Sequence, residues 1–589
     1  MAAVRVEQLV KRYGNVDALR GVGFEVDEGE VFALLGPNGA GKTTTVEILE
    51  GFRSRDGGRV EVLGYDPGEP ATSRRLRERI GVVLQELAVE PLLTVRQVLS
   101  RNAGYYPRPR PVDEVLSLVG LGDKADERVK TLSGGQQRRL DLGLGIVGNP
   151  DLLFLDEPTT GFDPSARREA WGVIRALTGG GTTVILTTHY MDEAEALADR
   201  LAVVAAGRVV AEGTPESLGG RDVGEARISF RLPAGVARLV AAGGADGRVG
   251  GCSRDPHRQG GGGARRPHDL GARGEGRPRR APGRADDARG RLPASHRAPR
   301  ARRRSASGPM STPVARARSR AAADLSMVGR QLYYEQLSFW RNPFAAVFTV
   351  GFSVVFLVLL GASAGDARSA TLGGVPIIQY YVPGFVAYGV MSTCFNALAT
   401  SLVVRRETGL LKRLRLSPLP TWAMLAAVIG NALVISLVQI VLLLVIGRFG
   451  YHVQPPHNLA ALALALLVGA ASFTALGIAV STLIPNQEAA GPIVSIVFFV
   501  LLFLSGLWYP LAPHSTLATI SSYFPIRHMI EAVYAPFDVR PGVSGWSWHN
   551  LVPMLVWGAA GVVVAARHWS WAPRTRAGDR PRAARLPRL

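Results

Sequence analysis

Cysteine is nearly absent from this chain. Only Cys252 and Cys394 occur among its 589 residues, which excludes a disulfide framework and a cysteine-based metal cluster. No apolar leader opens the sequence, since residues 1–8 lead directly into a predicted strand, and we expect the first half to stay in the cytoplasm. Residues 251–310 lack Val, Ile, Phe, Tyr, Trp and Lys, so they cannot bury enough apolar surface to fold and are predicted to be disordered.

The formal net charge of +20 first suggests a nucleic acid or an anionic membrane as a partner. Residues 251–310 contain 16 Arg against 5 Asp or Glu, and residues 574–589 contain 6 Arg against 1 Asp. These two tracts therefore carry 16 of the 20 excess charges, and the rest of the chain is nearly balanced. We expect no nucleic-acid partner, although an ATPase associated with nucleic acid stays open as an alternative.

A glycine-rich loop at residues 36–43 follows the predicted strand Val31–Leu35 and has the pattern GxxxxGK[ST]. Its backbone N–H groups can surround phosphates, and the helix after the loop adds its positive dipole end. Lys42 can reach the β- and γ-phosphates, while Thr43 can bind Mg²⁺. The pattern predicts a bound nucleotide with Mg²⁺, and the predicted contacts are Gly36, Pro37, Asn38, Gly39, Ala40, Gly41, Lys42, Thr43 and Thr44.

Two carboxylates, Asp156 and Glu157, directly follow the apolar strand predicted at residues 152–155. Asp156 is placed to hold Mg²⁺, directly or through water. Glu157 is the candidate base that orients or deprotonates the attacking water, a positioning role typical of phosphoryl transfer. The alternative is a pair of buried carboxylates with structural partners only.

The order of motifs resembles that of the ATP-binding cassette (ABC) ATPases from Met1 to about Leu218. The loop is followed by Gln85, by LSGGQ at residues 132–136, by LLFLDEP at 152–158 and by His189. The resemblance implies an α/β P-loop NTPase fold. It also implies a homodimer in which two cassettes sandwich two ATP molecules, with the second cassette's ATP contacted by Ser133, Gly134, Gly135 and Gln136.

The same resemblance implies roles for three single residues. His189 matches the histidine that contacts the γ-phosphate, and Gln85 matches the glutamine that senses Mg²⁺ and the attacking water. Tyr13 is placed like the aromatic residue that stacks on adenine. The chain departs from the family pattern at Phe162, where Leu is usual, but Asp163 is retained.

Six long apolar stretches occupy the second half, and about 20 such residues span a bilayer. Arg405, Arg406, Lys412, Arg413 and Arg415 follow the second stretch, and more arginines follow the sixth, which predicts cytoplasmic placement of both chain ends. We expect an all-α membrane domain of six transmembrane helices in the lipid bilayer, near residues 344–360, 382–404, 422–446, 459–484, 489–507 and 552–566.

A basic segment at residues 405–420 resembles the cytoplasmic connection of ABC-type-2 permeases. Leu410, Leu411 and Leu414 would form the apolar side of a helix that docks on the ATPase. An ordinary positive loop is the alternative. Residues 330–342 mix aromatics with charge, and they could form an interfacial elbow or the polar start of the first span.

The predicted domains are an ATP-binding domain at 1–232, a linker at 233–324, a permease domain at 325–570 and a basic cytoplasmic tail at 571–589. The resemblance implies that a small ordered domain should follow Leu218, but the sequence there becomes rich in Arg, Gly and Pro. A segment that resembles the start of a permease then begins at Met310. One hypothesis is a reading-frame slip that joins two genes. The rivals are a natural flexible linker and a tract that binds anionic lipid headgroups.

Taken with the resemblance, these features favour an ATP hydrolase coupled to transport. The expected function is export of a hydrophobic or amphipathic compound, such as a drug or antibiotic, across the cytoplasmic membrane. The span centres carry no charge, and a mostly apolar path suits an amphipathic or lipid-like substrate. The polar Asn396, Asn431 and Gln439 are expected to bond between helices, with substrate binding as the alternative. The alternatives are export of a lipid or polysaccharide, and a sensor that uses the exporter scaffold for signalling.

Overall fold

A six-stranded sheet forms the centre of the amino-terminal half of the protein. The computed structural model describes residues 2–159, 164–218, 313–365, 367–369, 374–508, 515–540 and 543–574. The strand order is β5-β6-β7-β3-β8-β9, and only β9 runs antiparallel to its neighbour. The strands are β3 (Val31–Leu35), β5 (Ile80–Val83), β6 (Leu152–Asp156), β7 (Thr183–Thr188), β8 (Arg200–Ala205) and β9 (Arg208–Gly213).

Helices cover the faces of this sheet, which is why β6 and β7 are buried along their whole lengths. The predicted α/β P-loop fold is confirmed. The helices of this half are α1 (Lys42–Leu49), α2 (Ser73–Arg77), α3 (Val95–Ala103), α4 (Val112–Leu118), α5 (Gly134–Ile146), α6 (Pro164–Gly179), α7 (Met191–Leu197) and α8 (Pro215–Leu218), with short 3₁₀ turns at Gly122–Lys124 and Val129–Thr131.

A smaller antiparallel sheet packs beside the first one in the order β2-β1-β4. Its strands are β1 (Ala2–Tyr13), β2 (Val16–Asp27) and β4 (Gly57–Val62). Val4, Val6 and Leu9 of β1 are buried and pack with Phe32 and Leu34 of β3. The two sheets thus share one core, and β1 carries Tyr13 at its exposed end.

Six helices of the second half are long and apolar enough to cross a membrane, as predicted. The sixth predicted stretch was marginal at 15 residues, but the observed helix has 21 because its flanking polar residues continue the helical backbone. We number these spans 1 to 6: Pro343–Ala364, Ile377–Glu407, Thr421–Gly450, Leu459–Leu483, Gln487–Leu504 and Trp548–His568. Between spans 5 and 6 lie short helices at Thr516–Ser521 and Pro525–Tyr534 and a 3₁₀ turn at Ala535–Phe537.

The spans contain π-helical segments at Val347–Gly351, Ser392–Ala397 and Ile446–Gly450. Outside the spans, a two-stranded ribbon joins Arg368–Ser369 to Val375–Pro376. Polar groups within the spans pair between helices: Gln439 Nε2 donates to Ser353 Oγ over 2.6 Å. Asn431 Oδ1 accepts from Gln336 Nε2 over 2.9 Å. Asn431 and Gln439 therefore link helices, as predicted.

Gly561 of span 6 lies directly against the backbone of Ala475 in span 4. A Cβ on Gly561 would sit 2.9 Å from the Ala475 carbonyl carbon and 3.0 Å from its oxygen, and backbone cannot swing aside as a side chain does. We expect Gly561→Ala to push the spans apart and to lower the free energy of unfolding by about 1–3 kcal/mol. Thermal unfolding of the detergent-purified protein measures this loss. Gly491→Ala in span 5, where a Cβ meets nothing within 4 Å, is the control; an equal loss there would contradict the prediction.

The observed helices and contacts extend past two of the predicted domain boundaries. The linker predicted at 233–324 overlaps the helix α9 (Pro313–Trp340), because this Ala- and Arg-rich stretch has high helix propensity once a proline starts it. Residues 219–312 lie outside the described residues. The tail predicted to begin at 571 is packed against the protein through Arg574.

Helix α9 ends at Trp340, and a turn at Arg341–Asn342 separates it from span 1 at Pro343. Residues 330–342 are therefore not the polar start of that span. Helix α9 packs along span 3 and also touches α3 of the amino-terminal half.

Candidate functional site

The carboxyl ends of four parallel strands bring the predicted site residues to one edge of the sheet. The register pairs Asp156 of β6 with Thr187 of β7, and Thr188 of β7 with Leu35 of β3. The glycine-rich loop follows β3, and His189 follows β7 directly. Gln85 lies two residues beyond β5, the strand beside β6. Motifs far apart in the sequence thus share one edge, where ligands bind in open α/β sheets.

The glycines of the loop at residues 36–43 let its backbone lie very close to neighbouring residues. A Cβ on Gly36 would lie 2.2 Å from the Val204 carbonyl oxygen, and one on Gly41 would lie 2.6 Å from a Leu19 methyl group. Lys42 Nζ donates to the carbonyl oxygens of Gly36 and Pro37 over 2.6 and 3.1 Å. The loop residues Gly36, Pro37, Asn38, Gly39, Ala40 and Gly41 therefore form a curved backbone ahead of α1, which fits a phosphate cradle.

The ammonium of Lys42 is buried, and burial lowers its pKa against the charges of Glu157 and Asp156. Its contacts with the loop carbonyls hold it where phosphate oxygens would take their place. Thr43 and Thr44 follow it in the first turn of α1. A buried cation beside a glycine-rich backbone loop fits the predicted phosphate-binding role.

Asp156 is a buried carboxylate at the last position of β6. Its Oδ1 accepts a hydrogen bond from Thr187 Oγ1 over 2.6 Å. Burial raises its pKa, and the Thr187 hydrogen bond and the Lys412 charge oppose that rise. Carboxylate oxygen is a ligand that Mg²⁺ prefers, and a bound dication would stabilise the charged form. Asp156 thus fits the predicted metal role, with Thr43 and Gln85 as the other candidates.

Glu157 has a left-handed backbone with φ of +49°. Its N–H donates to the carbonyl oxygen of Thr187 over 3.2 Å and to Thr187 Oγ1 over 3.1 Å. Its Oε1 lies 3.2 Å from His189 Nδ1. A non-glycine residue in this region costs roughly 1–3 kcal/mol and occurs often at functional sites. The two predicted catalytic side chains, Glu157 and His189, are therefore brought into contact.

The LSGGQ segment begins helix α5 through its own side chains. Ser133 is the N-cap residue: its Oγ accepts from Gln136 N over 3.3 Å, and Gln136 Oε1 accepts from Ser133 N over 2.9 Å. Ser133 and Gly134 are exposed, and a Cβ on Gly134 or Gly135 would meet no described atom within 4 Å. Packing within the described chain therefore does not require these two glycines.

Arg138 was missed by the sequence analysis. From helix α5 its guanidinium donates to three consecutive carbonyl oxygens, those of Asp156, Glu157 and Pro158, over 3.0, 2.7 and 3.0 Å. It also donates to the Leu84 carbonyl, just before Gln85. The arginine thereby links the backbone of residues 156–158 to helix α5. The only sequence signal was an arginine two positions after Gln136.

Two predicted contacts remain exposed. Tyr13 is 38% exposed, with the Arg53 guanidinium 5.4 Å and the Lys11 ammonium 5.6 Å from its ring centroid. Gln85 is exposed beyond β5. Their roles toward adenine and Mg²⁺ stay predictions. Residues 160–163, including Phe162 and Asp163, lie outside the described residues.

The basic segment predicted to dock on the ATPase does so. We call Leu410–Leu416 the docking helix. Leu410, Leu411 and Leu414 are buried beside Tyr105 of the amino-terminal half, as their spacing predicted. Lys412 Nζ contacts Glu47 Oε1 of α1 over 2.6 Å, and Arg413 forms a buried ion pair with Asp141 of α5. The alternative of an ordinary positive loop is excluded by these contacts.

Helix α9 supplies a second connection that the sequence analysis did not predict. Tyr105 donates to Gln331, whose Nε2 donates to Glu335 over 2.7 Å. Glu335 in turn accepts from Arg405 Nη1 at the end of span 2 over 2.6 Å. These hydrogen bonds connect the ATP-binding half, through α9, to span 2.

Glu50, which follows α1 directly, offers a pH-dependent test of burial near Lys412 of the docking helix. It is buried, and its Oε2 has no hydrogen-bond partner among the described residues. Burial raises the pKa of Glu50 to about 8 from 4.5, so the folded state loses stability as pH rises between these values. Glu50→Gln is expected to remove that loss, so its advantage in thermal unfolding midpoint over the parent should grow from about pH 5 to pH 8 and then level off. Glu216→Gln, at an exposed site, should show no such trend; a pH-independent gap for Glu50→Gln would contradict the assignment.

The fold and the site define a class: a P-loop nucleotide-binding domain docked on a domain of six candidate transmembrane helices. Comparison with protein families gives the same division. Residues 19–160 match the family described as ABC transporter, and residues 331–537 match the family described as ABC-2 type transporter.

Individual relatives match the amino-terminal part. The Daunorubicin resistance ATP-binding protein DrrA3 of Streptomyces coeruleorubidus is 44% identical over 251 residues, which is 41% of this chain and 79% of that protein. The Daunorubicin/doxorubicin resistance ATP-binding protein DrrA of Streptomyces peucetius is 47% identical over 37% of this chain and 66% of its own length. The Nod factor export ATP-binding protein I of Burkholderia orbicola (strain AU 1054) is 43% identical over 38% of this chain and 75% of its own length.

The chain belongs to the ABC transporter family. Its ATP-binding cassette is followed, in the same chain, by an ABC-2 type membrane domain. ATP hydrolysis in the cassette is coupled to transport, as the resemblance implied.

Proposed function

We propose that this protein exports a hydrophobic or amphipathic small molecule, of the drug or antibiotic class, across the cytoplasmic membrane. Two relatives of the cassette are named for daunorubicin resistance, which supports this substrate class. The interior of the spans is consistent with it, because Gln439 and Asn431 pair with neighbouring helices and no charge lies at a span centre.

The observation that carries the proposal is the direct connection between the ATP site and the spans. Helix α1 starts with Lys42 at the predicted phosphate cradle and carries Glu47 near its other end. Lys412 of the docking helix binds Glu47, and only two residues, Thr408 and Gly409, lie between the end of span 2 and that helix. A shift of α1 on nucleotide binding or release would therefore be transmitted to span 2.

Two copies of the chain would form the working unit. The exposed Ser133 and Gly134, with open space over the two glycines, leave room for the triphosphate of a second cassette, as the ABC resemblance implies. Asp156, Thr43 and Gln85 would hold Mg²⁺, which neutralises phosphate charge when bound. Glu157 would then orient or deprotonate the attacking water, and His189 would hold the Glu157 carboxylate in place.

The full chain reconstituted in proteoliposomes tests the proposal. Uptake of daunorubicin into vesicles whose cassettes face outward should require both ATP and Mg²⁺. A Lys42→Ala variant, which keeps the spans intact, is the matched control and should show neither uptake nor hydrolysis. ATP hydrolysis by the wild type without uptake of daunorubicin would overturn the substrate class, while leaving ATP-driven transport of another compound, such as a lipid or polysaccharide, to be tested next.

A further inference from the structure

The residues that follow span 6 remain packed against the rest of the protein. Residues 569–574, which we call the post-span segment, pack against the docking helix. Trp569 packs on Leu398 and Leu402 of span 2 and on Val428 of span 3. Its ring also touches the apolar cluster of the docking helix. One tryptophan thus joins the end of span 6 to spans 2 and 3.

Trp571 extends the contact to the cassette. It packs in a cluster with Phe52, Leu84 and Ala88 of the cassette and Leu416 of the docking helix. The Arg415 guanidinium lies between two aromatic rings, 5.3 Å from the Trp571 centroid and 5.5 Å from the Phe52 centroid. One ring belongs to the post-span segment and the other to the cassette. The cation is therefore held by attraction from both halves of the protein.

The end of the post-span segment is fixed as well. The backbone N–H of Arg574 donates to both carboxylate oxygens of Glu407, each over 3.2 Å. Glu407 also accepts from Arg406 Nε over 2.7 Å, and Arg406 donates to carbonyl oxygens at the end of span 4. The segment is thus tied to the last turn of span 2, immediately before the docking helix.

The cassette residues that Trp571 touches flank the predicted ATP site. Phe52 lies three residues beyond α1, the helix that begins with Lys42, and Leu84 directly precedes Gln85. The Lys412 ammonium lies 5.0 Å from the Phe52 ring centroid, so two docking-helix cations meet the same ring. A nucleotide-dependent shift of either cassette element would move the surface on which Trp571 rests.

We infer that the post-span segment is a coupling element, in which Trp571 is the positioning residue that keeps the docking helix seated on the cassette. Span 6 thereby receives the motion of the cassette directly, together with span 2. The inference rests on the proposed function where it is tested by substrate uptake. Its test by hydrogen–deuterium exchange needs no particular substrate.

Trp571→Ala in the full chain is the test, with hydrolysis and transport measured in the same proteoliposomes. Uptake of daunorubicin should fall at least about tenfold, while ATP hydrolysis stays within about twofold of the wild type. Trp571→Phe, which keeps a ring for Arg415, should restore most of the uptake. Trp548→Ala removes an exposed tryptophan at the far end of span 6 and should change neither activity.

A second readout works even where daunorubicin is not the substrate. Hydrogen–deuterium exchange of residues 410–416 should respond to ATP with Mg²⁺ in the wild type. In Trp571→Ala that response should be lost, while the response of residues 36–43 is kept. If exchange in 410–416 still responds as in the wild type, the coupling role is wrong. If the wild type itself takes up no daunorubicin, the proposed substrate is wrong, but this inference is still tested by the exchange measurement.

Should Trp571→Ala fail to fold, Arg415→Met replaces it. This variant keeps the apolar stem in the cluster and removes only the cation between the two rings. The same loss of response at residues 410–416 is expected. An unchanged response in a well-folded Arg415→Met protein would overturn the inference.

Discussion

Glu157→Gln is expected to lower ATP turnover by about 10²- to 10⁴-fold, the usual contribution of a positioned general base. The amide keeps the size of the side chain and its place beside His189, 3.2 Å away in the wild type, but it cannot take up a proton. ATP binding should survive, because Lys42 and the loop at residues 36–43 are untouched. Phosphate release and nucleotide binding, measured on the same detergent-purified protein, separate the two effects.

Glu216→Gln changes the same chemical groups at an exposed position of α8 and should leave turnover unchanged. If Glu157→Gln keeps more than about a tenth of wild-type turnover, the base assignment is wrong and the carboxylate has a structural role. Daunorubicin uptake should stop in parallel with hydrolysis. A ligand-dependent conformational response that persists without turnover would favour the sensor alternative.

Arg413→Met should destabilise the attachment of the membrane domain to the cassette more than any other single change in the docking helix. It removes the partner of Asp141, which is fully buried. Breaking a buried ion pair from one side costs about 3–5 kcal/mol. We expect the lower part of that range, since Arg138 stays 3.4 Å from the other oxygen of Asp141. Thermal unfolding of the detergent-purified full chain measures the loss.

Adding Asp141→Asn to Arg413→Met should recover part of this stability, because no unpaired charge then remains buried. Arg59→Met, at a side chain that is 73% exposed, is the matched control and should shift the midpoint little. Equal losses for Arg413→Met and Arg59→Met would mean that the ion pair contributes nothing to docking.

Much of the ATP site could be predicted because its chemistry is local in sequence. The loop at residues 36–43, the pair Asp156 and Glu157, and His189 each follow a short apolar strand. Parallel strands bring the residues at their carboxyl ends to one edge of the sheet, so motif order was enough to bring these groups together. The six spans were equally accessible, because length and hydropathy alone identify them.

Apart from the docking of residues 410–416 on the cassette, the long-range contacts could not be predicted. Arg138, the chain of polar contacts through Gln331, and the cation held by Trp571 all depend on which surfaces meet in the folded protein. The start of α9 at Pro313, within the predicted linker 233–324, was not predicted for a related reason. A high content of arginine and alanine indicates disorder by composition, yet from Pro313 the same residues form a helix with a partner along span 3.

The contacts between the cassette and the membrane domain come from the described residues on either side of the segment 219–312. A covalent connection raises the effective concentration of one half around the other. A cut within that segment leaves each of these contacts available, so the two halves, supplied as separate chains, should still associate. The arrangement would then function as a two-protein complex whose affinity, and not its covalent link, decides how much transporter is assembled at a given expression level.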